Sequence, residues 1–451
     1  MSCAQVVYRS IGAGLSFDGL IAPMPKEEFL KTYWQQRPCH VSGTPEKFAG
    51  LLSWNELNSV LEMCHVEYPR LRMSKFGVDL AAKEYLQVMP FTRVSRINPN
   101  GMCKQFADGA TLILQHADEF LPSLQSVADA LRAGLGWPAE VEIIAGHGTS
   151  NGLPVHYDAN DCMALQITGS KRWHFYKPTR EAPLRRSKLF PRRYDVLPAN
   201  APCTTAPYLS IEAQPGGFVY VPRGWWHLVE PNPGPCLSLN PTVYAPTIQD
   251  LLQWLIEEMS IEEACRRHIP LEKAEQAELL ARMAASLSAK LTPATIREYA
   301  AYFQGEMETP LEIHLPDAAV DKAGVGDDAF MRLAGGRPVH FSHDGVAPQF
   351  RVRWQGKDIF FNREHLPVFA PLADGRAHSV ASLLDDCPTE EIKTGHRKFL
   401  AQLMDKRILV TIPSDSLQDS DKELYGNGNE TQIFTAVGGI RDHGVDTRAG
   451  K

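Results

Sequence analysis

Two short segments of the chain contain residues of the types that bind a metal ion. The segment NGLPVHYDANDC, residues 151–162, places His156 and Asp158 two positions apart in a stretch that we predict to be a β-strand. Residues two apart in a strand point to the same face of a sheet, so the imidazole and the carboxylate would project together. Burying both groups is costly unless something pairs with them. We interpret them as metal ligands, with a salt bridge or surface exposure as the alternatives.

The second segment is QPGGFVYVPRGWWHLVEP, residues 214–231, which supplies a further imidazole. An apolar strand there meets the turn Pro222–Gly224, and His227 follows on the next strand. In a closed β-fold, His227 can lie beside His156 and Asp158. Two histidines and one carboxylate with open positions beside them are typical of non-haem Fe(II) oxygenases. Zinc accepts the same ligands, so the ligand types alone do not fix the metal.

Lys171 is a candidate for binding an organic acid beside that metal. It begins the strand KRWHFYKP after the turn Thr168–Ser170. Fe(II) oxygenases with this ligand set need a second oxidisable acid, usually 2-oxoglutarate, whose far carboxylate requires a cation at the end of the pocket. A lysine ammonium suits that role as a compact charge. The alternative is that Lys171 or its neighbour Arg172 is simply an exposed charge at a strand edge.

Length, charge and cysteine content limit the class of protein. A chain of 451 residues is too long for one compact domain, and we expect two or three. The net charge of −7 argues against a chain that coats nucleic acid. Nine scattered cysteines without a Cys-x-x-Cys pair are typical of reduced intracellular thiols. We find no signal-peptide pattern and no apolar stretch long enough to span a bilayer, and we expect a cytoplasmic protein.

The order of predicted elements indicates a β-rich core between helical regions. Short strand patterns separated by Gly, Pro, Asn and Asp fill residues 139–245, which favours an antiparallel sandwich or barrel. Apolar residues at helical spacing follow in TIQDLLQWLIEEM and in the segment after Glu272. Their apolar faces exceed what the β-domain needs, so we predict a homodimer formed there. Farther along, QFRVRWQGKDIFFN is predicted to be a hairpin, followed by two helices and a strand.

The two candidate metal segments resemble a known family. GLPVHYDANDCMALQITGSKRWHFYKP and PGGFVYVPRGWWH are similar to the JmjC-type cupin Fe(II)/2-oxoglutarate oxygenases, most closely to their ribosomal oxygenase branch. The likeness extends over most of the chain to about residue 412. It implies an α+β fold with a double-stranded β-helix core of the cupin or jelly-roll type. The expected division is an N-terminal flanking segment of helices and strands (1–138), the JmjC core (139–246), a helical dimerisation domain (247–330), a winged-helix domain (331–412) and a flexible tail (413–451).

The resemblance also implies roles for individual residues. His156, Asp158 and His227 would bind Fe(II), and Lys171, thirteen positions after Asp158, would bind the far carboxylate of 2-oxoglutarate. O₂ would be the second co-substrate. Some members have a Tyr and an Asn on the strand before the triad that help to hold the co-substrate. In this chain we align those two positions with Ile144 and Glu142, so this support is missing or comes from elsewhere. Ser238 and Asn240 are candidates to provide it.

The implied reaction is hydroxylation of a side chain in a protein or peptide, either a ribosomal protein or a ribosomally made natural-product peptide. Nucleic-acid binding is not expected except through association with the ribosome, and membrane binding is not expected. The basic cluster RRSKLFPRR, residues 185–193, lies between the two metal segments and would favour an acidic peptide or one near RNA. Two other classes stay open: a winged-helix nucleic-acid- or protein-binding protein with an inactive cupin domain, and a non-oxygenase cupin metalloenzyme such as a zinc-dependent isomerase or hydrolase.

Overall fold

The structure is a computed structural model, and it describes residues 15–148, 152–179, 181–184, 206–260, 263–307, 326–336, 339, 341–343, 348–354 and 357–412. The chain divides into two units, Met1–Leu252 and Gln253–Lys451, and each is described by itself. The basic cluster and the C-terminal tail lie outside the described residues. Within the described part, no helix is long and apolar enough to cross a membrane.

Helices of the first unit cover one side of its sheet. The helix that begins after Ser53 has a capping box: the Ser53 hydroxyl accepts from Glu56 N–H, and the Glu56 carboxylate accepts from Ser53 N–H. The helices are α1 (Phe17–Ile21), α2 (Lys26–Thr32), α3 (Glu46–Ala49), α4 (Trp54–Met63), α5 (Pro99–Ala107) and α6 (Pro122–Leu135), with α7 (Ile248–Met259) beginning at its end.

The strands of the first unit form an antiparallel sandwich, as the sequence predicts. They are β1 (Cys39–Val41), β2 (Leu71–Lys75), β3 (Val78–Asp79), β4 (Leu86–Val88), β5 (Ser95–Ile97), β6 (Thr111–Leu114), β7 (Ala139–His147), β8 (Asp161–Thr168), β9 (Lys171–Tyr176), β10 (Leu209–Ala213), β11 (Phe218–Val221), β12 (Trp226–Pro231) and β13 (Pro235–Val243). Among the described residues, one sheet has the order β1-β11-β8-β13-β7-β6-β2-β3 and a smaller one has the order β10-β9-β12, while β4 and β5 form a hairpin.

Strand alternation gives the large sheet two different faces. On β7, Val141, Ile143 and Ala145 are fully buried in the core that also contains residues of α6. The intervening Glu142 and Ile144 are partly buried and line a cavity on the opposite face. This is the period-two pattern of a strand between an apolar layer and a polar space. One face of the large sheet therefore packs on helices, and the other is free to form a site.

The small sheet covers part of that second face. Trp173 and Phe175 on β9 join Val219 and Val221 on β11 in one buried apolar cluster between the two sheets. Beyond this cluster the sheets enclose a cavity of about 390 Å³, with wall residues from both sheets and from the loop before β8. A cavity of this size is within the range of small-molecule sites.

The second unit has its own core, formed by a mixed set of short strands and helices. The hairpin strands, the two helices and the final strand that the sequence predicts in residues 349–412 are all present. One further helix, Leu366–Leu372, was not predicted. The elements are α8 (Glu263–Arg266), α9 (Lys273–Lys290), α10 (Pro293–Met307), β14 (Phe330–Leu333), β15 (Phe341–Ser342), β16 (Gln349–Trp354), β17 (Lys357–Asn362), α11 (Leu366–Leu372), β18 (His378–Ser379), α12 (Val380–Leu384), α13 (Glu390–Asp405) and β19 (Leu409–Ile412). Its core residues include Phe350, Phe369 and Phe399.

Candidate metal centre

The three predicted metal ligands lie together at one end of the cavity. One ligand atom from each of His156, Asp158 and His227 lies within 4.8 Å of the others. His227 Nε2 is 3.7 Å from Asp158 Oδ2, and the two imidazole centroids are 4.3 Å apart. Among the described residues, this is the one group of three or more His, Cys, Asp or Glu side chains that could hold a metal ion.

The prediction that His156 and Asp158 lie on a regular strand is wrong. β8 begins only at Asp161, and residues 152–160 form a loop. His156 instead makes an isolated antiparallel bridge with His227, through hydrogen bonds of 3.1 and 2.8 Å between their backbone groups. Pro154 has no N–H to donate to a ladder, which disfavours a regular strand here. The bridge, rather than strand alternation, brings the two imidazoles side by side.

A turn that contains Gly224 positions His227, the third of the predicted ligands. Trp225 N–H donates to Pro222 O, and Gly224 between them has φ +86°, which glycine adopts without steric cost. Gly224 N–H donates to the carbonyl of Asp158 at 2.9 Å. The predicted turn before His227 therefore also holds the backbone of the carboxylate ligand.

Hydrogen bonds set the orientation of both imidazole rings. His156 Nδ1 is 2.8 Å from Pro154 O, and His227 Nδ1 is 3.2 Å from Trp225 O. A carbonyl oxygen can only accept, so in each neutral ring Nδ1 is the N–H donor and Nε2 keeps its lone pair. Burial and the neighbouring His156 lower the pKa of His227 to about 4, so its ring is neutral near pH 7. Both rings thus present Nε2 as metal ligands do.

Side chains around the triad complete its surroundings. The Cys162 thiol donates to Asp158 Oδ2 at 3.5 Å, and burial raises the pKa of this thiol, so it stays a neutral donor. The Trp173 ring stacks on His227 with centroids 6.0 Å apart. Trp173 also lines the cavity, and its buried Nε1 has no hydrogen-bond partner among the described residues. Sequence reasoning missed Trp173, although its position two residues after Lys171 on one strand was an available signal.

Lys171 lies in the wall of the same cavity, in a site built for its ammonium group. Its side chain is 8% exposed, and Nζ donates to Ser238 Oγ at 2.7 Å. Ser238 Oγ in turn donates to Asn240 Oδ1 at 2.9 Å. Burial lowers the pKa of Lys171, and no carboxylate in the described part of the chain forms an ion pair with it. The alternative of an exposed edge charge is therefore wrong for Lys171. Arg172 is exposed, but it lies on β9, the central strand of the small sheet, and not at a sheet edge.

The residues present fit a 2-oxoglutarate-dependent iron site. The donor set of two imidazoles and one carboxylate suits Fe(II). A buried ammonium without a counter-ion is costly unless an anion joins it. The orphaned N–H of Trp173 in the same cavity also requires an acceptor. A dicarboxylate co-substrate would supply both.

Comparisons with known proteins agree with this geometry. Residues 114–251 match the JmjC domain family. Ribosomal oxygenase 1 of Homo sapiens is 28% identical over 228 residues, which are 48% of this chain and 32% of that protein. The bifunctional lysine-specific demethylase and histidyl-hydroxylase NO66 of Drosophila persimilis is 26% identical over 211 residues, 46% of this chain and 28% of that protein. The chain thus spans about a third or less of the length of these relatives.

A solved structure shares the fold over most of the chain. The Escherichia coli ribosomal oxygenase YcfD, determined in complex with cobalt and 2-oxoglutarate, superposes with a TM-score of 0.53 at 15% identity. The match covers 87% of this chain and 99% of that one. The large antiparallel sheet of the present chain, with its flanking helices, is the cupin-like fold that the resemblance implied. Residues 114–251 are therefore similar to the JmjC domain, and the chain as a whole shares its fold with a ribosomal oxygenase.

Proposed function

We propose that the protein is an Fe(II)- and 2-oxoglutarate-dependent oxygenase that hydroxylates a side chain of a protein or peptide. The observation that supports this most strongly is the presence in one cavity of the His156, Asp158 and His227 triad and the ammonium of Lys171, which forms no ion pair with any described residue. The names of the relatives, and the 2-oxoglutarate bound to the E. coli neighbour, support the same reaction class. An assembled triad argues against an inactive cupin domain.

The triad would hold Fe(II), which when bound supplies the oxidation of a C–H bond by O₂ coupled to decarboxylation of 2-oxoglutarate. The residues of the chain contribute binding, orientation and exclusion of water. The carbonyls of Pro154 and Trp225 keep both Nε2 atoms directed at the metal position. The thiol of Cys162 holds one oxygen of Asp158.

The co-substrate would extend from the triad to the ammonium of Lys171. We propose that Ser238 and Asn240 assist by orienting Lys171, because Ser238 Oγ accepts from Nζ and donates to the Asn240 side chain. Trp173 lies on the same strand face as Lys171 and stacks on His227, so it flanks the path between the two. Its N–H would donate to an oxygen of 2-oxoglutarate.

Replacing Trp173 by phenylalanine tests this contact. The ring stacking is kept and the N–H is lost, so the KM for 2-oxoglutarate is expected to rise about two- to tenfold, the equivalent of one net hydrogen bond. Trp226→Phe is the matched control, since the Trp226 N–H donates to Thr179 outside the cavity and its loss should leave this KM unchanged. Equal KM values for the wild type and Trp173→Phe would contradict the contact.

The substrate is proposed to be a polypeptide because the relatives named ribosomal oxygenase suggest a protein target. A ribosomal protein and a ribosomally made peptide are both retained as targets. The test is mass spectrometry of ribosomal proteins from a knockout strain and its parent, together with peptides encoded near the gene. An enzyme-dependent gain of one oxygen atom on a polypeptide is expected. A gain found only on a free amino acid or another metabolite would contradict the polypeptide proposal.

We also propose that residues 331–412 form a winged-helix domain and that the helices before it form a dimer contact. The order of hairpin, helices and final strand in β16–β19 supports the first proposal. For the second, α9 is 18 residues long and contains no buried residue, and its Leu280 side chain is 68% exposed. Ile256 on α7 is also exposed. Apolar helix faces of this kind favour association.

Sedimentation velocity tests the dimer. The wild type is expected to sediment as a dimer at micromolar concentration, and Leu280→Glu is expected to shift it to monomer because a charge would be buried at the contact. Phe91→Glu is the matched control, since Phe91 is an exposed apolar residue of the first unit. A wild-type monomer at all concentrations would refute the proposal.

A further inference from the structure

The turn between β2 and β3 carries an aromatic side chain at the surface of the first unit. Lys75 at the end of β2 pairs with Val78 at the start of β3, so Phe76 and Gly77 alone form the turn. Residues 75–78 are called the hairpin tip here. Phe76 is 70% exposed and Val78 is 66% exposed. Single exposed apolar residues are common on protein surfaces, so exposure by itself assigns no role to this tip.

The backbone conformation distinguishes Phe76 from other exposed apolar residues. Phe76 has φ +51° and Gly77 has φ +79°, as in a two-residue hairpin turn with both central residues in the left-handed region. Asn followed by Gly is the favoured pair in such a turn, whereas this region is unfavourable for a bulky aromatic residue. Phe76 therefore costs stability in the turn and gains little from burial. Residues of this kind are concentrated at functional positions.

The hairpin tip is attached to the loop that holds the metal triad. Gly77 N–H donates to Gly152 O at 3.0 Å, and the buried Ser74 hydroxyl donates to the same oxygen at 2.9 Å. A Cβ atom at Gly77 would lie 2.6 Å from Pro154 Cδ, so the tip and the loop are in close contact. Gly152 lines the cavity, and Pro154 O is the acceptor that orients His156. The exposed tip thus lies at the rim of the cavity.

The size of the exposed apolar surface favours a peptide over a second copy of the chain. A phenylalanine side chain buries about 150–250 Å² when it is covered. With one valine beside it, the hairpin tip offers far less than the roughly 800 Å² per partner that stable association of two folded chains buries. One large apolar side chain of a peptide is enough to cover it. A polypeptide whose target side chain enters the cavity must also cross the rim where the tip lies.

We propose that Phe76 and Val78 form a docking site for the polypeptide substrate, which places a large apolar side chain there, outside the cavity. The inference rests on the proposed function and adds a recognition surface to it. Contact between apolar side chains removes their surface from water and supplies affinity in proportion to the area covered. Because the tip is attached to the loop of His156, the docked side chain is held at a fixed distance from the metal position.

The variant Phe76→Asn removes the ring without weakening the turn. Asn suits the left-handed position before Gly77, so the Tm is expected to rise by about 2–4 °C. Thermal unfolding followed by circular dichroism provides the measurement. A Tm below that of the wild type would show that the ring serves the fold, and it would overturn the proposal.

Binding is measured with a synthetic library of random dodecapeptides and immobilised protein loaded with Mn(II) and 2-oxoglutarate. The peptides retained by the wild type should be enriched at least about threefold in large apolar residues relative to the library. Phe76→Asn should lose this enrichment. Phe91→Asn is the matched control, since Phe91 is 99% exposed on the loop between β4 and β5, and it should keep the enrichment.

The outcomes separate this inference from the proposed function. No retained peptide, no apolar enrichment in the wild type, or the same enrichment in Phe76→Asn would overturn the docking site. Dissociation of a wild-type dimer by Phe76→Asn in sedimentation velocity would assign the tip to a second copy and overturn it as well. Mn(II) and 2-oxoglutarate are titrated separately, and if the wild type binds neither, the proposed function fails. Enrichment that depends on Phe76 in the metal-free protein would still support the docking site.

Discussion

Replacing both His156 and Asp158 by alanine is expected to remove the bound metal and 2-oxoglutarate turnover with it. Loss of a residue that merely orients a metal ligand costs about 10–100-fold in affinity or activity. Removing two of three direct ligands should cost far more, because His227 alone cannot retain the ion. Iron per protein chain after anaerobic reconstitution is the measurement, with succinate release as the second readout.

His174→Ala is the matched control for the triad. His174 lies on β9, where its ring nitrogens contact Ser210 and Glu230 at 2.8 and 3.2 Å and do not line the cavity. This variant should keep its iron. Full iron occupancy in the His156→Ala/Asp158→Ala variant would refute the assignment of the triad.

Replacing Lys171 by alanine is expected to raise the KM for 2-oxoglutarate strongly while iron binding stays intact. Removing one partner of a buried, charge-assisted contact costs roughly 2–4 kcal/mol, which corresponds to a KM about 30- to 700-fold higher. The effect should exceed that of Trp173→Phe, because a full charge is lost. Initial rates over a range of 2-oxoglutarate concentrations, with iron content measured in parallel, provide the test.

Arg172→Ala is the control for Lys171. The two cations are adjacent on β9 and point to opposite faces, with Lys171 buried in the cavity wall and Arg172 exposed. Arg172→Ala should leave the KM unchanged. A normal KM in Lys171→Ala together with a raised KM in Arg172→Ala would transfer the role to Arg172.

The residues of the site were predictable because metal binding and a tight turn each require particular residue types, and these types can be read from the sequence. The turn Pro222–Gly224 needs glycine at Gly224, and His227 follows it closely in the sequence. The turn therefore indicates that His227 lies near the start of its strand. Lys171 begins a strand whose alternating residues are buried, but the sequence alone left open whether Lys171 or Arg172 is an exposed charge, and the structure decides it. The strands from β7 to β13 that were predicted are short alternating or continuously apolar runs separated by Gly, Pro, Asn and Asp.

Other features depend on contacts between distant segments and were not predictable. The loop that holds His156 has no regular period, and its geometry comes from a bridge to His227, 71 positions away. The hydrogen bond between Gln115 and Glu142 depends on the pairing of β6 with β7, because Gln115 directly follows β6, and β6 was not predicted. A short strand such as β6 contains too few residues for its period to distinguish it from a helix.

The most direct test of the central claim is succinate release by the purified protein. The protein is reconstituted anaerobically with Fe(II), mixed with 2-oxoglutarate, exposed to O₂, and succinate is quantified by mass spectrometry. We predict succinate formation that requires Fe(II), 2-oxoglutarate and O₂ together and is absent from the His156→Ala/Asp158→Ala variant. Absence of succinate from iron-loaded wild type supplied with its polypeptide substrate, or equal succinate from the double variant, would contradict the account.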